Sequence, residues 1–189
     1  MRNKRKIFFA HSAGEQDGKG KGSFDLVAHL RAALGEDYEV LFPVVNEPDS
    51  PAYHHWKTML DHEFSKTHEP VILVGHSLGG SVLLKYLSEE QTNLHIEGMF
   101  LVATPQWNKD GWDMSEWAVK KDFTKRLPPV REYYFYHCLE DPIVSIEHLL
   151  FYRKVFKNAI FRELPCKDHG FSNGLKELAD DIRLTTGDN

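Results

Sequence analysis

The chain has 189 residues, enough for one domain with its own core. Apolar residues make up 41% and charged residues 27%, the balance of a water-exposed globular protein rather than of a disordered or membrane-spanning chain. The net charge of −5 argues against non-specific nucleic-acid binding, and no nucleic-acid partner is expected.

The chain starts with a basic run, Arg2 to Lys6, followed by only four apolar residues, Ile7 to Ala10. That is too short for the apolar core of a signal peptide, and no later run approaches transmembrane length. A cytoplasmic protein without membrane insertion is therefore expected. Lys6 to Ala10 is the first predicted strand, with the loop His11-Ser12-Ala13-Gly14 after it. A polar, glycine-rich segment with Gly18, Gly20 and Gly22 follows; it lacks Gly-Lys-Ser/Thr and is not a phosphate loop. Ser23 to Leu34 predicts a helix, with Val27, Leu30 and Leu34 at helical spacing and Gly35 at its end. Tyr38 to Val45 predicts a second strand. Asn46 to Pro51 is turn-rich; Ser50 is suited to cap, and Pro51 to open, a helix running to Phe64 with Trp56, Leu60 and Phe64 on one stripe. His54, His55 and His62 on that helix form no His-Glu-x-x-His, so neither a metal nor any other cofactor is expected.

Pro70-Val71-Ile72-Leu73-Val74 is a buried-strand pattern. It leads into Gly75-His76-Ser77-Leu78-Gly79, and Gly80 to Leu87 then reads as a helix. Strand, sharp turn and helix are the context in which Gly-x-Ser-x-Gly exposes a nucleophilic serine. Ile96 to Ala103 is the fourth strand. Thr104 to Pro129 breaks the alternation and carries Trp107, Trp112, Trp117 and Phe123; it is read as a short lid, with Trp107 and Trp112 lining an acyl pocket. A surface helix packing its aromatics on the sheet is the plainer alternative. Arg131 to Leu139 and Ala159 to Leu164 are the last strands. Ser145 to Phe156 and Gly174 to Ile182 are the last helices. The alternation implies a mostly parallel sheet with helices on both faces.

A nucleophilic serine needs a base, and the base needs a group to orient it. Asp141 and His169 each follow a strand, and parallel sheets gather their chemistry at carboxyl ends. The order Ser77, Asp141, His169 is that of Ser-Asp-His hydrolases. Glu140 is the nearest competitor for the acid and Asp168 a weaker one; an ordinary Asp-Pro turn would also account for Asp141. The Leu78 N–H, at a helix N-terminus, is the first candidate oxyanion donor, and a second is expected from the loop after the first strand. Cys138 and Cys166 each lie three residues before a site candidate. Two reduced thiols are expected in a reducing cytosol; a disulfide bracing the site is the sharper alternative.

These residues carry a resemblance. The first strand and its His11 loop, Trp56, Gly75 to Gly80, Asp141-Pro142-Ile143-Val144 and Asp168-His169-Gly170-Phe171 resemble compact α/β-hydrolases. The likeness is greatest to the serine hydrolases of the YdeN and retinoblastoma-binding-protein branch. It implies a single α/β-hydrolase domain over 1–189 with a minimal cap (104–129). It implies Ser77 as nucleophile, Asp141 as acid and His169 as base. Ala13 would be the second oxyanion donor and His11 would lie against substrate. Ser12 stands where the family pattern commonly has glycine, and serine does not freely take positive φ. The expected function is hydrolysis of carboxylic esters, or thioesters, of small or medium acyl groups, with a small-molecule acyl substrate as partner. Peptide hydrolysis, acyl transfer, and a non-catalytic interaction protein on a hydrolase fold are the alternatives. No feature of the sequence identifies a protein partner.

Overall fold

The computed structural model describes residues 4–49, 52–107 and 115–187. Six strands, β1 (Arg5–Ala10), β2 (Tyr38–Leu41), β3 (Val71–His76), β4 (Ile96–Val102), β5 (Tyr133–Cys138) and β6 (Ile160–Leu164), form one sheet. Its order is β2-β1-β3-β4-β5-β6, and every pairing is parallel. Five helices connect or close it: α1 (Phe24–Leu34), α2 (Tyr53–Ser65), α3 (Leu78–Glu89), α4 (Ile146–Val155) and α5 (Lys176–Thr186).

Strand periodicity divides the core in two. Ile7, Phe9, Ile72, Val74, Phe100 and Val102 face α1 and α5, where they meet Leu26, Leu30, Leu178 and Ile182. Their chain neighbours Phe8, Leu73, Met99 and Leu101 face the other layer, with Trp56, Val82, Leu83 and Leu149 from α2, α3 and α4. Burial on both faces explains why the central strands read as continuous apolar runs. The crossover from β1 to β2 runs toward one edge, and all later crossovers run toward the other. Right-handed connections therefore put α1 on one face and α2, α3 and α4 on the opposite face. The direction of the crossovers reverses between β1 and β3, and a crevice opens at the carboxyl ends of those two parallel strands.

The elements match the expected ones with shifted ends. The second strand stops at Leu41, four residues short, because the chain leaves the sheet edge. The last helix spans Lys176–Thr186 rather than starting at Gly174, whose φ of 82° is not helical. Ser50 and Pro51, expected to start α2, lie outside the described residues. Between β4 and β5 the described chain holds only two short 3-10 turns, Ser115–Trp117 and Phe123–Lys125. Trp117 and Phe123 are buried against α3, in 3-10 turns rather than in a surface helix laid on the sheet.

The expectation of two free thiols is overturned: Cys138 and Cys166 are joined in a disulfide, with Cα atoms 4.8 Å apart. The physical reason is register. Cys138 pairs with Leu164 across β5 and β6, and Cys166 lies just past the end of β6. Among the described residues no helix is long and apolar enough to cross a membrane.

Candidate active site

The site is built where β3 turns into α3. Ser77 occupies φ 51°, ψ −120°, a conformation a serine adopts only under constraint. The constraint is close packing. A Cβ on Gly79 would stand 2.1 Å from the Ala10 carbonyl oxygen, and one on Gly75 would stand 2.5 Å from Gly80 Cα. The Ser77 N–H donates to the Val102 carbonyl at 2.8 Å, which fixes the turn to β4.

Two loops meet the serine. His169, after β6, has Nε2 3.0 Å from Ser77 Oγ and Nδ1 2.8 Å from Asp141 Oδ2. A carboxylate accepts, so Nδ1 carries the proton and Nε2 presents its lone pair to the hydroxyl. The Asp141 side chain is fully buried, and Oδ1 accepts the N–H groups of Ile143 (2.8 Å) and Val144 (2.9 Å). Burial by itself would raise the Asp141 carboxyl; the hydrogen bond and charge of His169 and the two N–H donors outweigh it and hold it below the usual range. His137 supports the same loop by donating from Nε2 to the Val144 carbonyl at 2.7 Å.

The competing acids are engaged elsewhere. Glu140 pairs with Lys167 on the surface at 2.6 Å. Asp168 accepts the N–H groups of Gly170 and Ser172 and so shapes the turn that carries His169. Ser77 and His169 open into a cavity of about 610 Å³ that Ser12, Ala13, Pro142, Ile143 and Lys167 also line. The Ala13 N–H makes no hydrogen bond among the described residues. The Leu78 N–H is the first of α3, with no carbonyl a turn earlier in the helix to receive it. Ser12 does not need the backbone of glycine: positive φ falls on Gly14, at 90°, instead.

Three expected substrate contacts fare differently. His11 is fully buried and does not reach the cavity. Its Nδ1–H donates to the Ser12 carbonyl at 2.6 Å, its Nε2 accepts the Val45 N–H at 3.0 Å, and its ring lies 4.5 Å from that of Trp56. Burial pushes this imidazole down to about 4, so it is a neutral internal strut. Trp107 does not line the cavity either; its ring packs against Trp117, 6.4 Å away. Trp112 lies outside the described residues. The sequence reading passed over Gln16, Ser23, His76 and His137, buried polar residues around the site. Of these only His76 carried a signal, as the variable position of the serine motif.

The parallel sheet, the strained serine at its central turn and the acid and histidine at later strand ends define an α/β-hydrolase. The family model for serine hydrolases matches residues 28–161, and the chain belongs to that family; it is an enzyme of the serine hydrolase type. Solved structures share the fold. The ydeN gene product of B. subtilis superposes with a TM-score of 0.75 at 16% identity, over 97% of this chain and 99% of that one. A lipase-esterase related protein from Clostridium acetobutylicum gives 0.67 at 12% identity, over 96% and 94%. A meta-cleavage product hydrolase from Pseudomonas fluorescens gives 0.71 at 13% identity, over 97% and 90%. No curated protein matches the sequence.

Proposed function

We propose that the protein hydrolyses carboxylic esters or thioesters of small or medium acyl groups through an acyl-enzyme on Ser77. The observation that carries this reading is the unbroken hydrogen-bond chain from Asp141 Oδ2 through His169 to Ser77 Oγ, 2.8 and 3.0 Å long. His169 Nε2 takes the hydroxyl proton as Oγ attacks the substrate carbonyl carbon. Asp141, held ionised by its N–H donors, keeps the imidazole in the attacking tautomer and stabilises the imidazolium. The Leu78 and Ala13 N–H groups receive the oxyanion, each worth roughly 3 kcal/mol. His169 then returns its proton to the leaving oxygen or sulfur. Water, deprotonated by the same base, releases the acid and restores Ser77.

Labelling with a fluorophosphonate, wild type beside Ser77→Ala, with the modified peptide mapped by mass spectrometry, tests the reading. Labelling confined to Ser77, together with turnover of p-nitrophenyl esters, is expected. A folded wild type that takes no label would sink it.

A further inference from the structure

His76 stands next to the nucleophile in sequence, yet the proposed chemistry does not use it. Its ring is fully buried with both nitrogens engaged. Nε2 lies 2.8 Å from the His169 carbonyl oxygen. A carbonyl only accepts, so Nε2 carries the proton. Burial, and then the neighbouring His169, push this imidazole down to about 3, so the ring is neutral and Nδ1 accepts. Its partner is Ser23 Oγ, 2.8 Å away. Ser23 has two acceptors in reach, His76 Nδ1 at 2.8 Å and Ser12 Oγ at 3.2 Å; it gives its one proton to the nearer, His76, and keeps lone pairs for the Ser12 N–H, which donates to it at 2.9 Å. Donors run in one direction: Ser12 N–H, Ser23 O–H, His76 Nε2–H, ending on the carbonyl of His169.

The far side of Ser12 is pinned as well. Its carbonyl accepts from His11 Nδ1 at 2.6 Å and from the Gln16 amide at 3.0 Å. Gln16 is itself fixed, because its Oε1 accepts the Ser23 N–H at 2.8 Å. The Ser12–Ala13 peptide is trans, so its N–H points away from its carbonyl. With the carbonyl held inward by two buried donors, the Ala13 N–H is left on the opposite side, and Ala13 lines the cavity that holds Ser77.

We propose that His76 is a positioning residue which, through Ser23, couples the oxyanion loop at Ser12–Ala13 to the loop carrying His169. The inference rests on the reading of Ser77 and His169 given above. A histidine that merely filled the core would need two partners of any kind. This one joins two loops that both line the cavity holding Ser77.

Ser23→Ala removes the link without touching substrate, and Ser23→Thr restores the hydroxyl. With both variants folded by circular dichroism, Ser23→Ala is expected to lose about 10- to 100-fold in kcat on a p-nitrophenyl ester, with KM within about twofold. Ser23→Thr is expected to recover most of that loss. A Ser23→Ala enzyme with kcat within twofold of wild type, or a threonine variant no better than alanine, overturns the proposal. Nitrogen-15 NMR of the wild-type histidines gives a readout independent of turnover and of the variants' folding. A neutral His76 protonated on Nε2 from about pH 8 to about pH 5 is expected. A proton on Nδ1, or a ring titrating in that range, overturns it. Fluorophosphonate labelling of the same sample separates the two failures. Absent labelling removes the hydrolase reading and with it the catalytic consequence, whereas the NMR result still reports whether the linkage exists.

Discussion

Ser77 holds a backbone conformation that costs of order 1–3 kcal/mol, and it is kept there by neighbours that leave no room for another path. The three residues reading in the order serine, acid, histidine are those that the fold brings within hydrogen-bond reach of one another. Ser77→Ala and His169→Ala are each expected to fold and to lose several orders of magnitude in kcat, measured on p-nitrophenyl esters. Asp141→Asn is expected to fall by about 10⁴-fold, since an amide favours the wrong imidazole tautomer. Glu140→Gln is expected to stay near wild type in the same assay, because Glu140 faces solvent against Lys167. His11 was the misleading residue. A histidine in the first loop reads as a substrate contact, and nothing local shows that Trp56, from a helix on the other side of β2, packs over its ring.

At the scale of elements, the site depends on strand ends staying where the sheet puts them. Gly79→Ala would drive a Cβ into the Ala10 carbonyl, backbone that cannot step aside. A loss of about 3 kcal/mol or more in urea unfolding, with loss of activity, is expected. The Cys138–Cys166 bond closes a segment with a sequence separation of 28, and it ties the strand before Asp141 to the segment before His169. Chain entropy puts its worth at about 3.5 kcal/mol. Intact mass after alkylation without reductant is expected to show no modified thiol, and Cys138→Ala/Cys166→Ala to unfold at lower denaturant by that amount. Two reduced thiols were the plainer expectation from composition. The pairing of β5 with β6 decided otherwise by bringing the two Cα atoms together.

At the scale of the whole molecule, burial lowers His137 and, further, two imidazoles that it holds neutral, His11 at about 4 and His76 at about 3. In the unfolded chain both take protons near the ordinary value of about 6.5. Between that value and about pH 4 the unfolded state binds more protons than the folded one. Stability is therefore expected to be level above about pH 7. It should then fall as the pH drops below about 6.5, by up to ~1.4 kcal/mol per unit for each ring. Urea midpoints at several pH values check this, and a His11→Gln variant is expected to flatten the slope if it folds.

By itself the sequence determined the alternation of strands and helices, the serine turn and the order of its partners. These are local signals: apolar period, glycines flanking a serine, and turns at strand ends. Only the tertiary structure decided which strands are neighbours, that the two cysteines meet, that His11 is internal, and that Trp107 packs on Trp117. It alone placed Ser23 against His76, 53 residues away, and His76 against His169, 93 residues away. Such contacts come from the order in which a parallel sheet stacks its strands, and no short window of the chain records that order.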